Sequence, residues 1–445
     1  MDSVNERILA EIDKISLVDT HEHTMPESDR NDYAVDFSYL FGHYNSSDLV
    51  SAGMPSRLME SFRLPMHRYR EAYIKRTKLH RNLPEPESKD LTLAERWEAV
   101  EPYWEAIRNT AYAKVTLITI QKLFGISDLN KDTYRQLSQA ISDSRRPGWY
   151  HHVMIEKANI AMALVDIMST DMDQGLFAPV MRMDPYVDVR SRQDLNYLEV
   201  ESGISIHALE DLVKALRTVM EENRIKGAVG VKSSLAYLRT LRYDKVTRHE
   251  AETAFNHIAM HLGEGPSFSE AKPLQDYMMH QVIRTAIDMR LPLQIHTGLQ
   301  EGNENIITNS NPTHLINLLV EYREAKFDLF HGGYPYVHEW VTLAKNFPNV
   351  YADLCWVYII SPTVGRGLLN ELIETVPGNK IMAFGGDSIA VEIAFGHAVM
   401  ARQQVARVFS EKVEEGYMGE EEAVLLAQKI LRDNPARLFN LPIVG

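Results

Sequence analysis

The stretch ISLVDTHEHT, residues 15–24, is where the fold of this chain is decided. An apolar, β-branched lead-in runs straight into Asp19, His21, Glu22 and His23. Side chains on a strand alternate between its faces, so Asp19, His21 and His23 are expected on one face and Thr20 and Glu22 on the other. Two imidazoles converging at the end of a buried strand make half of a metal site. A His-x-His pair is also a common accident of sequence, so the partners must come from the rest of the chain.

Seven further apolar runs follow: IAMALVD (160–166), LFAPVMRM (176–183), IKGAVGVK (225–232), LPLQIHT (291–297), FDLFHG (327–332), NVYADLC (349–355) and KIMAFGGD (380–387). Nearly continuous apolar strands indicate burial on both faces, as in a parallel sheet. Amphipathic helical stretches separate them, which makes β/α units. Eight such units close a (β/α)8 TIM barrel, and that is the expected fold class.

The units are unevenly spaced. Residues 24–149 read as a mostly helical insertion after strand 1, too long for an ordinary connection. The barrel is therefore assigned to 1–23 and 150–445. A second, smaller insertion is expected around 233–285. Loops that follow the strands sit at the catalytic face of such a barrel, so both insertions are expected to form a lid over the site; oligomer contact is the other use open to the large one. At the amino end, Ile8, Ile12 and Ile15 recur at helical spacing. At the carboxyl end two helices are expected, the second beginning at Asn434-Pro435.

The totals bound the function. With 445 residues, 45% of them hydrophobic and 24% charged, the chain can bury a large core. A formal charge of −14 argues against nucleic acid or an anionic membrane as the main partner and leaves a small molecule, with a homo-oligomer open. Cys355 is the single cysteine, so no internal disulfide can form, and it reads as an inert core thiol, with an active-site neighbour as the alternative. No run of about 18 apolar residues suggests a membrane span. The N-terminal stretch lacks the apolar core of a signal peptide, and a cytoplasmic location is expected.

The polar residues at the strand ends carry the chemistry. Strand 1 ends in His21 and His23, strand 4 in Lys232, strand 5 in His296, strand 6 in His331 and strand 8 in Asp387. A barrel gathers those ends into one ring. Taken singly, each has a plain explanation: His296 a core histidine, His331 a strand end before Gly332-Gly333, Asp387 an N-cap for the following helix. Taken together they form an imidazole and carboxylate set suited to a divalent cation, zinc first, with manganese, iron or nickel able to substitute. His397 lies on the helix after Asp387 and is a candidate supporting group. His151, His152, His257 and His261 read as surface or packing residues.

With these residues in place the chain resembles the amidohydrolase superfamily, in which strand 1 carries His-x-His, strands 5 and 6 each a histidine, and strand 8 an aspartate. The likeness is nearest to the amidohydrolase-related branch containing the FluG-type domain. It is carried by VKSSLAYLRTL, LPLQIHTGLQ, FDLFHGGYPYVHEWVTLAKNFPNVYADL, KIMAFGGDS and NPARLFNL. The resemblance implies that His21, His23, His296 and Asp387 are metal ligands and that His331 orients water or polarises the substrate. Lys232 stands where two-metal members carry a carbamylated lysine bridging a second ion. Its other readings are an ammonium that binds a substrate carboxylate, with Arg239 and Arg242 nearby in sequence, and a structural ion pair.

The implied activity is metal-dependent hydrolysis of an amide or related bond, with Asp387 taking and returning the proton. Tyr237, Tyr334 and Trp356 follow strand ends and are candidate pocket walls alongside Lys232. Two alternatives stay open. The same barrel serves metal-dependent decarboxylases and uronate-type isomerases, and a barrel can be kept as a non-catalytic scaffold or sensor.

Overall fold

The computed structural model describes residues 3–63, 86–88, 91–166, 172–260 and 266–442. Eight parallel strands lie in chain order: β1 (Leu17–Glu22), β2 (Ile160–Asp166), β3 (Phe177–Arg182), β4 (Gly230–Ser233), β5 (Leu293–Ile295), β6 (Phe327–Leu329), β7 (Val350–Asp353) and β8 (Ile381–Met382). Every expected run contains one of them. The ends meet through backbone bonds between β1 and the segment after β8: Thr20 N–H to the Phe384 carbonyl (3.2 Å), Asp387 N–H to His21 (2.7 Å) and His23 N–H to Ser388 (2.9 Å). The fold is a (β/α)8 barrel with helices outside.

Polarity changes along the barrel axis. At the amino end Val18, Met162, Leu164, Ala178, Val180 and Met382 form an apolar plug with Leu438, Phe439 and Leu441 of the carboxyl terminus. Higher up, the interior residues turn polar: Gln294 on β5, Asp328 on β6, Asp353 on β7 and Lys232 on β4, all fully or almost fully buried. On either side of them in sequence, Leu293, Ile295, Phe327, Leu329 and Ala352 face the outer helices and join the main core. Period-two alternation thus separates a greasy wall from a polar interior.

β1 departs from strict alternation. Its register against β2 is irregular between Leu17 and Val18 and again between Asp19 and Glu22. The irregularity brings the Asp19 and Glu22 carboxyl groups into hydrogen-bonding contact beside Gly386, where a Cβ would overlap the Glu22 carboxylate. Glu22 therefore does not point away from Asp19, as simple strand geometry had it.

The segment between β1 and β2 is helical, with helices such as Tyr44–Ser51, Leu93–Ile107, Ala111–Lys122 and Tyr134–Asp143. Its apolar cluster takes in Trp356, Ile359, Ala390 and Ile393 from the loops and helices after β7 and β8, so it packs on the carboxyl end of the barrel. A buried ion pair fastens it there. Arg30 reaches Glu392 on the helix Val391–Glu414, and neither side chain is exposed. Trp149 Nε1 (2.8 Å) and the Tyr39 hydroxyl (3.3 Å) also donate to Glu392, while Arg30 donates to the Ser144 carbonyl (3.0 Å) and hydroxyl (2.6 Å).

The smaller expected insertion resolves differently. Its described part contains the helix Phe268–Asp288, whose Leu274, Met278, Val282 and Ile283 belong to the main core. It is the crossover helix from β4 to β5 rather than a lid. Its length had disguised it. His261 lies outside the described residues. The terminal helices form as expected: Val4–Ile12 is capped by Ser3 and Glu6 and buries Ile8 and Ile12, and Asn434–Leu438 starts with Pro435 in its first turn. Among the described residues no helix is long and apolar enough to cross a membrane.

Candidate metal centre

The site is built from strand ends. Asp387 follows the short β8, and three histidines surround its carboxylate: His23 Nε2 at 3.2 Å and His21 Nε2 at 3.9 Å from Oδ1, and His331 Nε2 at 3.8 Å from Oδ2. His296 Nδ1 lies 3.0 Å from His331 Nε2. The five residues come from β1, β5, β6 and β8, and the barrel brings them together. His296 stands one step outside the other four, touching His331 and the Leu299 carbonyl.

Hydrogen-bond logic fixes which ring nitrogens hold lone pairs. A carbonyl only accepts, so His331 Nδ1–H donates to Cys355 (3.0 Å) and His296 Nε2–H donates to Leu299 (2.7 Å). His331 Nε2 and His296 Nδ1 are then both acceptors, and they face each other. Gln294 spends its amide N–H groups on the Thr20 carbonyl (2.9 Å) and Asp328 (3.1 Å). Its Oε1 is left to accept from His21 Nδ1 at 3.3 Å, which turns the His21 Nε2 lone pair toward Asp387. That Nε2 is buried and has no hydrogen-bond partner among the described residues.

Burial keeps these rings neutral. It pushes His21 and His296 well below the usual imidazole range and His331 down to about 4, with the Lys232 ammonium adding to the effect. Burial alone would raise the Asp387 carboxyl, but the His23 hydrogen bond and its setting among His331, His23 and His21 hold it well below the ordinary carboxylate range. Neutral imidazole lone pairs around an ionised carboxylate are what a divalent cation requires. Two sets of donors lie close enough to share an ion: His21, His23 and Asp166, and His331, Cys355 and Asp387, each within 4.8 Å. Burial and the Asp387 charge hold the Cys355 thiol far above its usual value, so it stays protonated and packs against Gly385. The residues present fit a bound divalent cation.

The backbone is strained where the site needs it. Of the seven non-glycine residues in the left-handed region among the described residues, His331 (φ 65°), Trp356 (φ 68°) and Asp387 (φ 52°) all lie in the mouth. Asp387 does not cap the helix that follows; that helix begins at Val391, and its cap position is Ala390. His397 supports the site from that helix, donating from Nδ1 to the Gly386 carbonyl (3.2 Å).

Lys232 is buried, its Nζ 4.0 Å from the Phe330 ring centroid. Burial lowers its proton affinity against the pull of Asp387. Among the described residues no carboxylate oxygen lies within 4.0 Å of Nζ, and Asp387 and Asp166 act on it from farther away. Arg239 and Arg242 do not join it: Arg239 is buried against Asp276 (2.6 Å), and Arg242 pairs with Asp244 (3.0 Å). The Trp356 ring centroid lies 5.1 Å from that of His331, and Tyr237 lies 4.8 Å from His296. Tyr334 meets the site through its backbone, its N–H donating to the His331 carbonyl (3.1 Å).

Several residues of the site were not singled out from sequence. Asp166 ends β2 and pairs with Arg182, which ends β3; Asp166 also lies 3.9 Å from His23 Nδ1. Asp184 sits 3.7 Å from Arg182, and burial raises it to about 6. The same reading of strand ends applied to β2 and β3 would have found the first two. A polar residue flanked by apolar ones in LQI, FDL and ADL marks Gln294, Asp328 and Asp353. Tyr44 of the insertion, whose hydroxyl donates to the Asp387 carbonyl, left no such mark.

Comparison with known proteins agrees with this geometry. The amidohydrolase family model matches residues 207–441, more than half of the chain, and the chain belongs to that family. Protein fluG of Emericella nidulans is 30% identical over 222 residues, which are 48% of this chain and 26% of that protein. The chain thus spans about a quarter of the length of this relative. Two solved structures align along nearly the whole chain. A glucuronate isomerase of Caulobacter crescentus has a TM-score of 0.75 at 17% identity, over 99% of this chain and 95% of its own. A uronate isomerase of Thermotoga maritima has a TM-score of 0.73 at 17% identity, over 98% and 97%. At such identities the likeness is one of fold.

Proposed function

We propose that this protein is a metal-dependent hydrolase that cleaves an amide or related bond in a small, carboxylate-bearing substrate. The carrying observation is the convergence of His21, His23 and His331 on Asp387, with the His21 and His331 ring lone pairs turned inward by hydrogen bonds on their far sides. His21, His23 and Asp387 would hold the ion, with His296 as the fourth ligand. A divalent cation bound there supplies Lewis acidity, polarising a carbonyl and making water a stronger acid.

The chain's own residues do the rest. The ionised Asp387 carboxylate accepts the proton of the attacking water and then returns it to the leaving amine. His331, neutral and fixed through Nδ1, orients water or stabilises charge on the carbonyl oxygen. Lys232 offers an ammonium to a substrate carboxylate. Carbamylation of Lys232 with a second ion is the lesser alternative, supported by the facing lone pairs of His296 and His331. Trp356, Tyr237 and Tyr334 would wall the pocket. The buried Trp356 Nε1 has no partner among the described residues and can donate to a substrate oxygen.

A second reading has its own support. The two uronate isomerases share the fold along nearly the whole chain, insertion included. A metal-dependent isomerase or decarboxylase would use the same ligands and the same Lys232. Metal analysis of the purified protein, followed by product detection, separates these. Release of an amine or ammonia from γ-glutamyl or cyclic amides supports the hydrolase. An aldose–ketose shift on uronic acids, or carbon dioxide from unsaturated carboxylates, replaces it with the isomerase or the decarboxylase.

A further inference from the structure

The segment Gly386–Ser388 carries six backbone polar groups into the buried mouth, and each has a partner. Its N–H groups donate in turn to the Asp19 carboxylate (2.9 Å), the His21 carbonyl (2.7 Å) and the Glu22 carboxylate (2.6 Å). The Gly386 carbonyl accepts from His397 (3.2 Å), and the Ser388 carbonyl accepts from the His23 N–H (2.9 Å). All five of these partners lie on β1 and its end or on the helix after β8. The sixth group is the Asp387 carbonyl. Its donor is the Tyr44 hydroxyl, and Tyr44 belongs to the helical insertion.

Tyr44 is itself held firmly. Its ring is buried and stacks on Trp356 (centroids 4.7 Å apart, 20° between planes) and on Tyr112 (5.0 Å, 16°). Asp387 sits in the left-handed region, which an aspartate keeps only when its surroundings impose it. A buried carbonyl without a donor drives the chain to find another conformation. If Asp387 left the left-handed region to find one, its Cα–Cβ bond would turn about N–Cα and swing the carboxylate away from His21, His23 and His331.

We propose that Tyr44 is a positioning residue: through its hydroxyl the insertion fixes the backbone of Asp387 and so completes the cation site. The insertion is then part of the site, and a barrel without it would hold Asp387 loosely. This rests on the metal-site proposal above, and the test separates the two. Zn²⁺ affinity is measured on the purified full chain by competition with a chromophoric chelator, for the wild type, Tyr44→Phe and Trp149→Phe. Tyr44→Phe keeps the stacked ring and loses only the hydroxyl. Trp149→Phe loosens the insertion elsewhere, by removing a hydrogen bond to Glu392, and does not touch Asp387.

The expected result is a Zn²⁺ affinity about 10- to 100-fold weaker in Tyr44→Phe, the range seen when a group supporting a metal ligand is removed. Trp149→Phe should lower the thermal midpoint with the affinity unchanged. Unchanged affinity in Tyr44→Phe overturns the proposal, and so does an equal loss in both variants, which would reflect general loosening. A wild type that binds no divalent cation removes the metal site and this inference together. Wild-type binding with an unaffected Tyr44→Phe removes only the inference.

Discussion

The mouth of the barrel and the foot of the insertion both bury charge, and they treat it in opposite ways. At the foot, Glu392 accepts from Arg30, Trp149 and Tyr39, and Arg30 spends its remaining donors on Ser144 and Asn31. Almost every valence is filled. In the mouth, among the described residues, only His23 comes within hydrogen-bonding distance of the Asp387 carboxylate, His21 and His331 stop short at 3.9 and 3.8 Å, and the His21 Nε2 lone pair meets nothing. A saturated ion pair is a structural fastening. An unsaturated cluster of the same residue types, kept that way by a rigid frame, is built to receive something.

The contrast is broken most severely at Asp387. Asp387→Asn should keep the fold and lower turnover by about 10²- to 10⁴-fold, the range for a general acid or base. A metal-loaded variant with near-normal turnover and an unshifted melting curve would show that the carboxylate does no chemistry. The opposite pattern is expected at the foot. Arg30→Met leaves Glu392 buried and charged, which should cost about 3–5 kcal/mol in denaturant unfolding. Pairing it with Glu392→Leu should recover most of that loss, and a double variant as unstable as the sum of the singles would refute the fastening.

A finer test lies between the two regions. Gln294 is fully buried and turns the His21 lone pair inward. Gln294→Leu should weaken Zn²⁺ binding about 10- to 100-fold with little effect on the fold, as measured by chelator competition. Unchanged affinity would mean that His21 needs no such help.

A further test concerns the buried acids below the mouth. Burial raises the Asp353 carboxyl from 3.8 to about 8, with Asp328 beside it raised as well. Between those two values the folded chain holds a proton that the unfolded chain has lost. Stability should therefore fall as pH rises from about 4 to 8. Asp353→Asn should flatten that slope in thermal melts recorded across the range; an unchanged slope would place the proton elsewhere.

The two regions also differed in how far sequence alone could take them. Each barrel strand announces itself as a short apolar run, and β-branched continuity distinguishes it from the amphipathic helices on either side. The strand-end residues His21, His23, Lys232, His296, His331 and Asp387 could be picked out because the carboxyl ends of barrel strands share one face. Their mutual distances could not, because β1 bulges between Asp19 and Glu22 and β8 is only two residues long. In the insertion the helical periodicity was visible, but its fastening was not. Arg30 and Glu392 are separated by 362 residues, and neither sits in a pattern that names the other. Tyr44 is one of 20 tyrosines, and only its place in the fold sets it apart.

The central claim is that residues from β1, β5 and β8 grip one divalent cation beside His331 of β6, and locating that ion tests it most directly. Crystals of zinc-loaded protein, measured on both sides of the zinc absorption edge, should give an anomalous peak about 2.0–2.2 Å from His21 Nε2, His23 Nε2 and an Asp387 oxygen. A peak bound elsewhere, or none at this mouth in protein saturated with zinc, would contradict the account.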